Sequence, residues 1–445
     1  MSRTPRTLII RILAITGAAL LVAPLALGQT VPPAPAGGED MTYPPIVVTG
    51  HEAELFRMAV PTPIGPRSLP LNDLRQVAAR DLDYSSLYQL LDPDIYRPDP
   101  TDGLGIDAAP WRAIGAQGVM KMRITDLGGG RARLEMAYYE MLSPSTPAGQ
   151  YQEEGQATNL RYMVHRAANE VVRANTRGEP GAFDTRLTFG RREGAGRKHV
   201  FSMDYDGNAI QRITSGRGVN LLPTFGPGGI WYSILTPLGM SITRQGASRP
   251  QIAGHYLNMG VTFHGDRMAF ASSRDGNTEV YTARADGSDI RRLTNSGAID
   301  VSPTFSADGS TIAFVSDRSG TPQIYTVPAA GGTPRRVTWR GSYNQTPAFC
   351  PSPRHPNWLA FTGRDGGTFD IFRLNIQSGE IIRVTQGQGD NRDPAWSPDC
   401  RIVAFARRAR RNRSGVWISS PSGFNQNQVV RGEVETVRWS GRPRR

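Results

Sequence analysis

The chain has 445 residues, of which 38 % are hydrophobic and 20 % charged, with 49 Gly and 34 Pro. So many chain-breakers exclude a long-helix protein and favour short strands joined by turns, spread over more than one domain. Net charge is +12, every cationic side chain except Lys121 and Lys198 is Arg, and the 2 Cys exclude a disulfide-dense or multi-Cys zinc scaffold.

Arg3, Arg6 and Arg11 precede an apolar run from Ile12 to Ala23, and the small residues Ala26 and Gly28 follow. This is the layout of a secretory signal over residues 1–28, cleaved after Gly28. The apolar run is too short for a comfortable span. It predicts an exported chain that is not membrane-spanning after cleavage and has no nucleic acid partner. Residues 29–50 (QTVPPAPAGGEDMTYPP onward) are Pro- and Gly-rich and read as a flexible tether.

Residues 51–178 read as a small α/β domain. Phe56–Val60 alternates like a strand and stops at Pro61. Leu71 to Leu91 carries Leu71, Leu74, Val77, Ala78 and Leu82 at helical spacing, and a short helix is expected around Ala108–Ala116. Val119–Ile124 and Arg131–Leu142 alternate on either side of Gly128-Gly129-Gly130, a hairpin signal. Leu160 to Thr176 is a second amphipathic helix.

From residue 179 to 445 an internal repeat replaces helical periodicity. An aromatic recurs at Phe225, Phe263, Phe305, Phe349, Trp396 and Trp439, at spacings of 38 to 47 residues. In four of the six a Pro stands two residues before it. A β-rich segment such as Ile312–Ser316 and an Arg-hydrophobic-Thr triplet such as Arg292-Leu293-Thr294 follow in turn. A period of about 43 residues, with about four strands per unit, predicts a six-bladed β-propeller. The repeats open on a second-strand segment (Thr185–Phe189) and end on a lone first-strand segment (Glu435–Ser440). A mixed blade built from both chain ends would close the ring. The expected fold is thus mainly β with a smaller α/β domain in front.

Catalytic and metal chemistry find no foothold. Asp204–Asn208, Arg274–Asn277 and Ala285–Ser288 lack the spaced oxygen ligands of a calcium loop and read as hairpin turns. The six His have no metal spacing, and no G-x-S-x-G nucleophile elbow or phosphate-cradling Gly motif occurs. No cofactor, metal or catalytic residue is expected. Arg407–Arg413 reads as a solvated basic loop or a surface facing anionic envelope polymers. Cys350 and Cys400 each follow a first-strand landmark, one blade apart. A disulfide and two unpaired thiols both fit, because their registers differ by three positions.

The tandem P-x-[FW]-S-x-D-G, I-A-F-x-S-x-R-x-G and R-x-T repeats resemble those of the TolB family of the Tol–Pal system. So do Phe56–Pro63 (FRMAVPTP), Trp111–Ala116 and the Gly181–Arg186 passage into the first blade. The resemblance covers residues 51–440. It implies a non-enzymatic, monomeric periplasmic protein that binds the peptidoglycan-associated lipoprotein Pal through the propeller mouth. A TolA-type inner-membrane protein would contact the N-terminal part, and the system would support outer-membrane integrity and constriction at division. The Pro-rich extension, the degenerate second blade (Leu235–Gln251) and the two Cys depart from the family pattern. The rival expectation is an exported propeller that binds or processes glycans or peptides independently of Tol–Pal.

On this strand order, loops between blades and loops joining second to third strands share one face. The first set offers Asn220, Asp300, Asn344, Arg392 and Asp393, the second Arg274, Arg318 and Arg364. Three guanidiniums aimed at one mouth would suit carboxylates or carbonyls of a docked lipoprotein. The alternative is that each Arg clamps its own turn.

Overall fold

The computed structural model describes residues 55–443, apart from 98, 102, 195, 217 and 411. The predicted signal peptide and tether lie outside the described residues.

The N-terminal unit is a five-stranded sheet with helices on it. In chain order it holds β1 (Phe56–Ala59), α1 (Leu71–Tyr84), β2 (Tyr88–Leu90) and α2 (Ala108–Ala113). There follow β3 (Gly118–Gly128), β4 (Arg131–Glu140), β5 (Gly149–Gln156) and α3 (Leu160–Asn175). Sheet order is β2-β1-β3-β4-β5, with β1 parallel to both neighbours. Leu74, Val77, Ala78 and Leu82 of α1 and Met163, Val164, Ala167, Val171 and Val172 of α3 are buried in one core with Met120, Met122 and Tyr138 of the sheet. That is what i, i+3, i+4 spacing dictates. α1 is shorter than the apolar spacing predicted. Ser85 Oγ donates to the Leu82 carbonyl and Ser86 takes a φ of 57°, which turns the chain into β2.

The rest is mainly β in a propeller-like arrangement of antiparallel sheets. One seven-stranded sheet contains β6 (Arg186–Arg192), β7 (Lys198–Asp204), β8 (Gln211–Arg212), β9 (Val219–Gly226), β10 (Gly229–Thr236) and β11 (Gly239–Arg244). Four four-stranded sheets follow. The first is β12 (Asn258–His264), β13 (Arg267–Ser272), β14 (Glu279–Arg284) and β15 (Arg291–Arg292). The second is β16 (Asp300–Phe305), β17 (Thr311–Ser316), β18 (Gln323–Pro328) and β19 (Arg335–Arg336). The third is β20 (Tyr343–Phe349), β21 (Trp358–Asp365), β22 (Thr368–Asn375) and β23 (Ile381–Arg383). The fourth is β24 (Asp390–Trp396), β25 (Val403–Arg408), β26 (Gly415–Ser419) and β27 (Asn427–Arg431).

The last strand, β28 (Val434–Trp439), belongs to the seven-stranded sheet and pairs antiparallel with β6, placing Trp439 opposite Leu187. Around that seam Trp439 Nε1 donates to Thr185 Oγ1 (2.7 Å), and Lys198 Nζ donates to both oxygens of Glu435 (2.7 and 2.8 Å). The two halves of this sheet are strand-paired at one position only, Lys198 with Val219 in parallel. Beside β11, Leu257 and Ile252 form only isolated bridges, to Met240 and Ile242. This is where the repeat pattern was weakest.

Strands β9, β12, β16, β20, β24 and β28 share one distortion. Each loses register with its neighbour over two residues. The first residue of each bulge is left-handed: Leu222 at φ 52°, Gly260 at 66°, Ser302 at 55°, Thr346 at 48°, Asp393 at 58° and Thr436 at 54°. The next residue is the Pro or Val of the aromatic landmark. All six strands contribute to the lining of one cavity of about 260 Å³.

Candidate partner-binding face

Two positions before each of five bulges stands Asn220, Asn258, Asp300, Asn344 or Asn391, and all five are buried. Four reach across to the preceding strands. Asn220 Nδ2 donates to the Lys198 carbonyl (3.2 Å), Asn258 to the Met240 carbonyl (3.2 Å), Asn344 to Gln323 Oε1 (2.8 Å) and Asn391 to Asp370 Oδ1 (3.0 Å). Burial pushes the Asp300 carboxyl up to about 6, against the pull of the Arg318 guanidinium. Asn258 and Asn391 escaped the sequence reading. Their signal is an Asn or Asp three residues before the landmark Pro or Val.

The S-x-R arginines lie flat on their own sheets. Arg318 sits 5.6 Å from the Phe314 ring and 5.0 Å from Tyr325, while its Nη2 donates to Asp300 (2.8 Å). Arg274 stacks on Phe270 (5.6 Å) and Tyr281 (5.1 Å), with Nε donating to Ser272 Oγ (3.2 Å). In the fourth sheet Arg407, which the sequence reading placed in a solvated loop, is buried and stacks on Trp417 (4.1 Å). Burial lowers its pKa to about 10. Arg364 differs: it is exposed and donates to the Gly367 carbonyl (3.2 Å). The ring of Phe369 carries Arg392 at 3.7 Å and the Tyr343 edge at 5.7 Å. Arg336 lies 4.7 Å from the Trp339 ring, which is itself exposed.

The R-x-T triplet is a strand lock. Thr294 Oγ1 accepts from Val280 N–H (3.0 Å) and donates to Glu279 (2.6 Å), while Arg292 Nε donates to the Thr294 carbonyl (2.9 Å). Thr214, Thr338 and Thr385 accept the equivalent amide bond. Asp393, at its bulge, accepts from Thr436 N–H (2.8 Å), and burial raises its pKa. Cys350 and Cys400 form a disulfide with Cα atoms 5.8 Å apart. Cys400 occupies a left-handed turn position, at a φ of 57°.

The N-terminal unit binds one side of this assembly. Arg161 donates to Asp206, Arg354 to the Thr176 and Arg177 carbonyls (both 2.9 Å), and Asn425 to the Asp83 carbonyl (3.3 Å). Those contacts fall in the β7–β8, β20–β21 and β26–β27 turns. Arg364, Arg392, Tyr343 and Trp339 stand on the opposite side, at the turns that join second to third strands and one sheet to the next. Among the described residues, no group of three His, Cys, Asp or Glu could hold a metal ion.

A family model described as the TolB beta propeller domain matches residues 175–442, and one for the TolB amino-terminal domain matches residues 44–145. The chain belongs to the TolB family. A Tol-Pal system protein TolB from Anaeromyxobacter dehalogenans is 34% identical over 313 residues, 66% of this chain and 67% of that one. Another from Jannaschia is 31% identical over 188 residues, 41% of this chain and 42% of its own length. The crystal structure of TolB from Acinetobacter baumannii superposes with a TM-score of 0.73 at 23% identity, covering 87% of this chain and 97% of that one. The TolB fold thus extends over both units. No described helix is long and apolar enough to cross a membrane.

Proposed function

We propose that this chain is the periplasmic, non-enzymatic TolB component of a Tol–Pal system. On this reading residues 1–28 are removed on export and 29–50 tether the protein. Residues 51–178 form the domain that meets a TolA-type inner-membrane protein. Residues 179–445 form a six-bladed propeller that docks a Pal-type lipoprotein, in support of outer-membrane integrity and constriction. Six equivalent bulges on one cavity and the β28–β6 pairing support a closed ring in which the seven-stranded sheet is two blades joined at a single residue pair. The match of both units to TolB models carries the functional reading. The side away from the N-terminal unit supplies a surface to go with it. It presents Arg and aromatic groups, the residue types that dominate binding hot spots.

Of the eight residues expected at the mouth, Asn220, Asp300, Asn344 and Asp393 are buried and would position the rim, as Arg274 and Arg318 would by bracing their sheets. Arg364 and Arg392 are the ones placed to touch a partner. Reversing both to Glu should weaken binding of the lipoprotein's periplasmic domain by about tenfold or more, measured by calorimetry, with little change in melting temperature. Unchanged affinity would move the docking site elsewhere. Arg318 is left intact because a Glu there would face Asp300 in a buried site. N-terminal sequencing of the mature protein should begin at Gln29.

A further inference from the structure

Three sheets fill the same place with a guanidinium. Arg274, Arg318 and Arg407 each lie over the paired aromatics of the second and third strands and point a nitrogen at the Asn or Asp of the first: Asn258 (3.5 Å), Asp300 (2.8 Å) and Asn391 (2.7 Å). The sheet β20–β23 has the aromatic pair, Phe361 and Phe372 at 5.4 Å, and the first-strand residue, Asn344. Its Arg383 lies 5.6 Å from the Phe372 ring but bonds Asp370 (2.6 Å), so no guanidinium bridges the aromatic pair to Asn344 among the described residues. Gly363 stands opposite Asn344, where Ser272, Ser316 and Arg407 stand in the others. Asp365 occupies the position of Arg274 and Arg318 and pairs with Arg383 (3.6 Å), while Arg364 turns away to the Gly367 carbonyl.

The result is a cavity of about 420 Å³ walled by Phe361, Phe372, Asn344 and Gly363 and flanked by Arg340 and Arg364. Asn344 Nδ2 is committed to Gln323 Oε1 and the Arg340 carbonyl, so its Oδ1 is the oxygen turned toward Gly363. Among the described residues, no donor reaches that oxygen. The site therefore offers apolar walls, one acceptor and a cationic rim. A cationic guest would meet Arg340 and Arg364, with the nearby Asp365 already paired. A ring with an N–H or O–H would bury its faces, donate to Asn344 Oδ1 and gain from the guanidiniums.

We infer that this cavity is a subsite for a Trp or Tyr side chain of the protein that docks on this face. The inference rests on the docking reading above, and one probe tests it separately. N-acetyltryptophanamide, titrated into isotope-labelled mature protein at millimolar concentration, should shift the Gly363 amide and Asn344 side-chain amide resonances saturably. Asp365→Arg, which restores the guanidinium of the sister sheets, should abolish those shifts. Glu380→Arg, the same charge change on the β22–β23 turn, should preserve them. Lipoprotein-domain binding should weaken tenfold or more in Asp365→Arg and less than twofold in Glu380→Arg, with both variants melting cooperatively. If the lipoprotein fails to bind the natural protein, the docking reading fails and the probe still decides the subsite. Absence of probe shifts, or their persistence in a folded Asp365→Arg protein, overturns it.

Discussion

Asp300 is governed by its environment more than by its place in the repeat: it is buried, with Arg318 bonded to it. Its place in the repeat was readable, because Asn or Asp precedes the landmark Pro at a fixed offset. Its burial was not, since burial depends on Arg318 closing over it from another strand. The folded protein holds the Asp300 proton more tightly than the unfolded chain does. Stability should therefore fall as pH rises from about 4, the unperturbed value, toward about 6. Asp300→Asn places here the side chain that Asn258, Asn344 and Asn391 supply in the other sheets, and it removes the titration. Urea unfolding at pH 4 and pH 7 should show a smaller loss between the two in Asp300→Asn than in the natural protein. An equal loss would assign the pH dependence to other groups.

At the scale of elements, the sequence carried the strands better than their distortions. The aromatic landmark located six first strands, yet nothing in it announced that the residue before its Pro or Val turns left-handed. Only Gly260 advertises that conformation; Leu222, Ser302, Thr346, Asp393 and Thr436 adopt it with a side chain. Strand β5 was missed for the opposite reason. Its sequence GQYQEEGQ has no apolar alternation, because it is an edge strand whose alternate residues are exposed. The bulges give a directional test. A left-handed residue costs about 1–2 kcal/mol where a Cβ is present, and Gly escapes this at some loss of unfolded-state entropy. Ser302→Gly should be neutral or stabilising by up to about 1 kcal/mol. Ser302→Val should cost about 1–2 kcal/mol, because a β-branched side chain tolerates that φ worst. Denaturant melts of the two variants should move in opposite directions or leave only the Val variant shifted. Equal destabilisation would place the constraint in the Ser302 hydroxyl.

On the scale of the whole molecule, the order of landmarks made one long-range pairing legible: a chain that opens on a second strand and closes on a first leaves each without a partner except the other. Where the N-terminal unit would sit could not be read. Its contacts use Asp206, Arg354 and Asn425, whose turns look like any other turn in the sequence. The buried cluster at that junction was equally silent. His165 bonds Asp81 at 2.7 Å and Tyr205 donates to the same carboxylate, three residues brought together from α1, α3 and the turn after β7.

The pairing of β28 with β6 is where the proposed closure of a ring can be tested. Removing residues 433–445 would strip β6 of one of its two neighbours, take Glu435 from the buried Lys198, and uncover the apolar surface beneath Val437 and Trp439. An unpaired strand edge beside exposed apolar surface invites association between chains, and the buried Lys198–Glu435 ion pair is lost with it. Both effects fall on one sheet. The truncated protein should therefore be lost to aggregates or migrate on size exclusion as larger species than the full chain does. Glu435→Gln separates the two contributions, since it keeps the strand and removes only the charge. It should elute as the full chain does and melt at a lower temperature. A truncated chain that eluted no larger than the full chain and unfolded in one cooperative step would show that β28 is an ornament on the ring and that the remaining strands hold it closed without the pairing to β6.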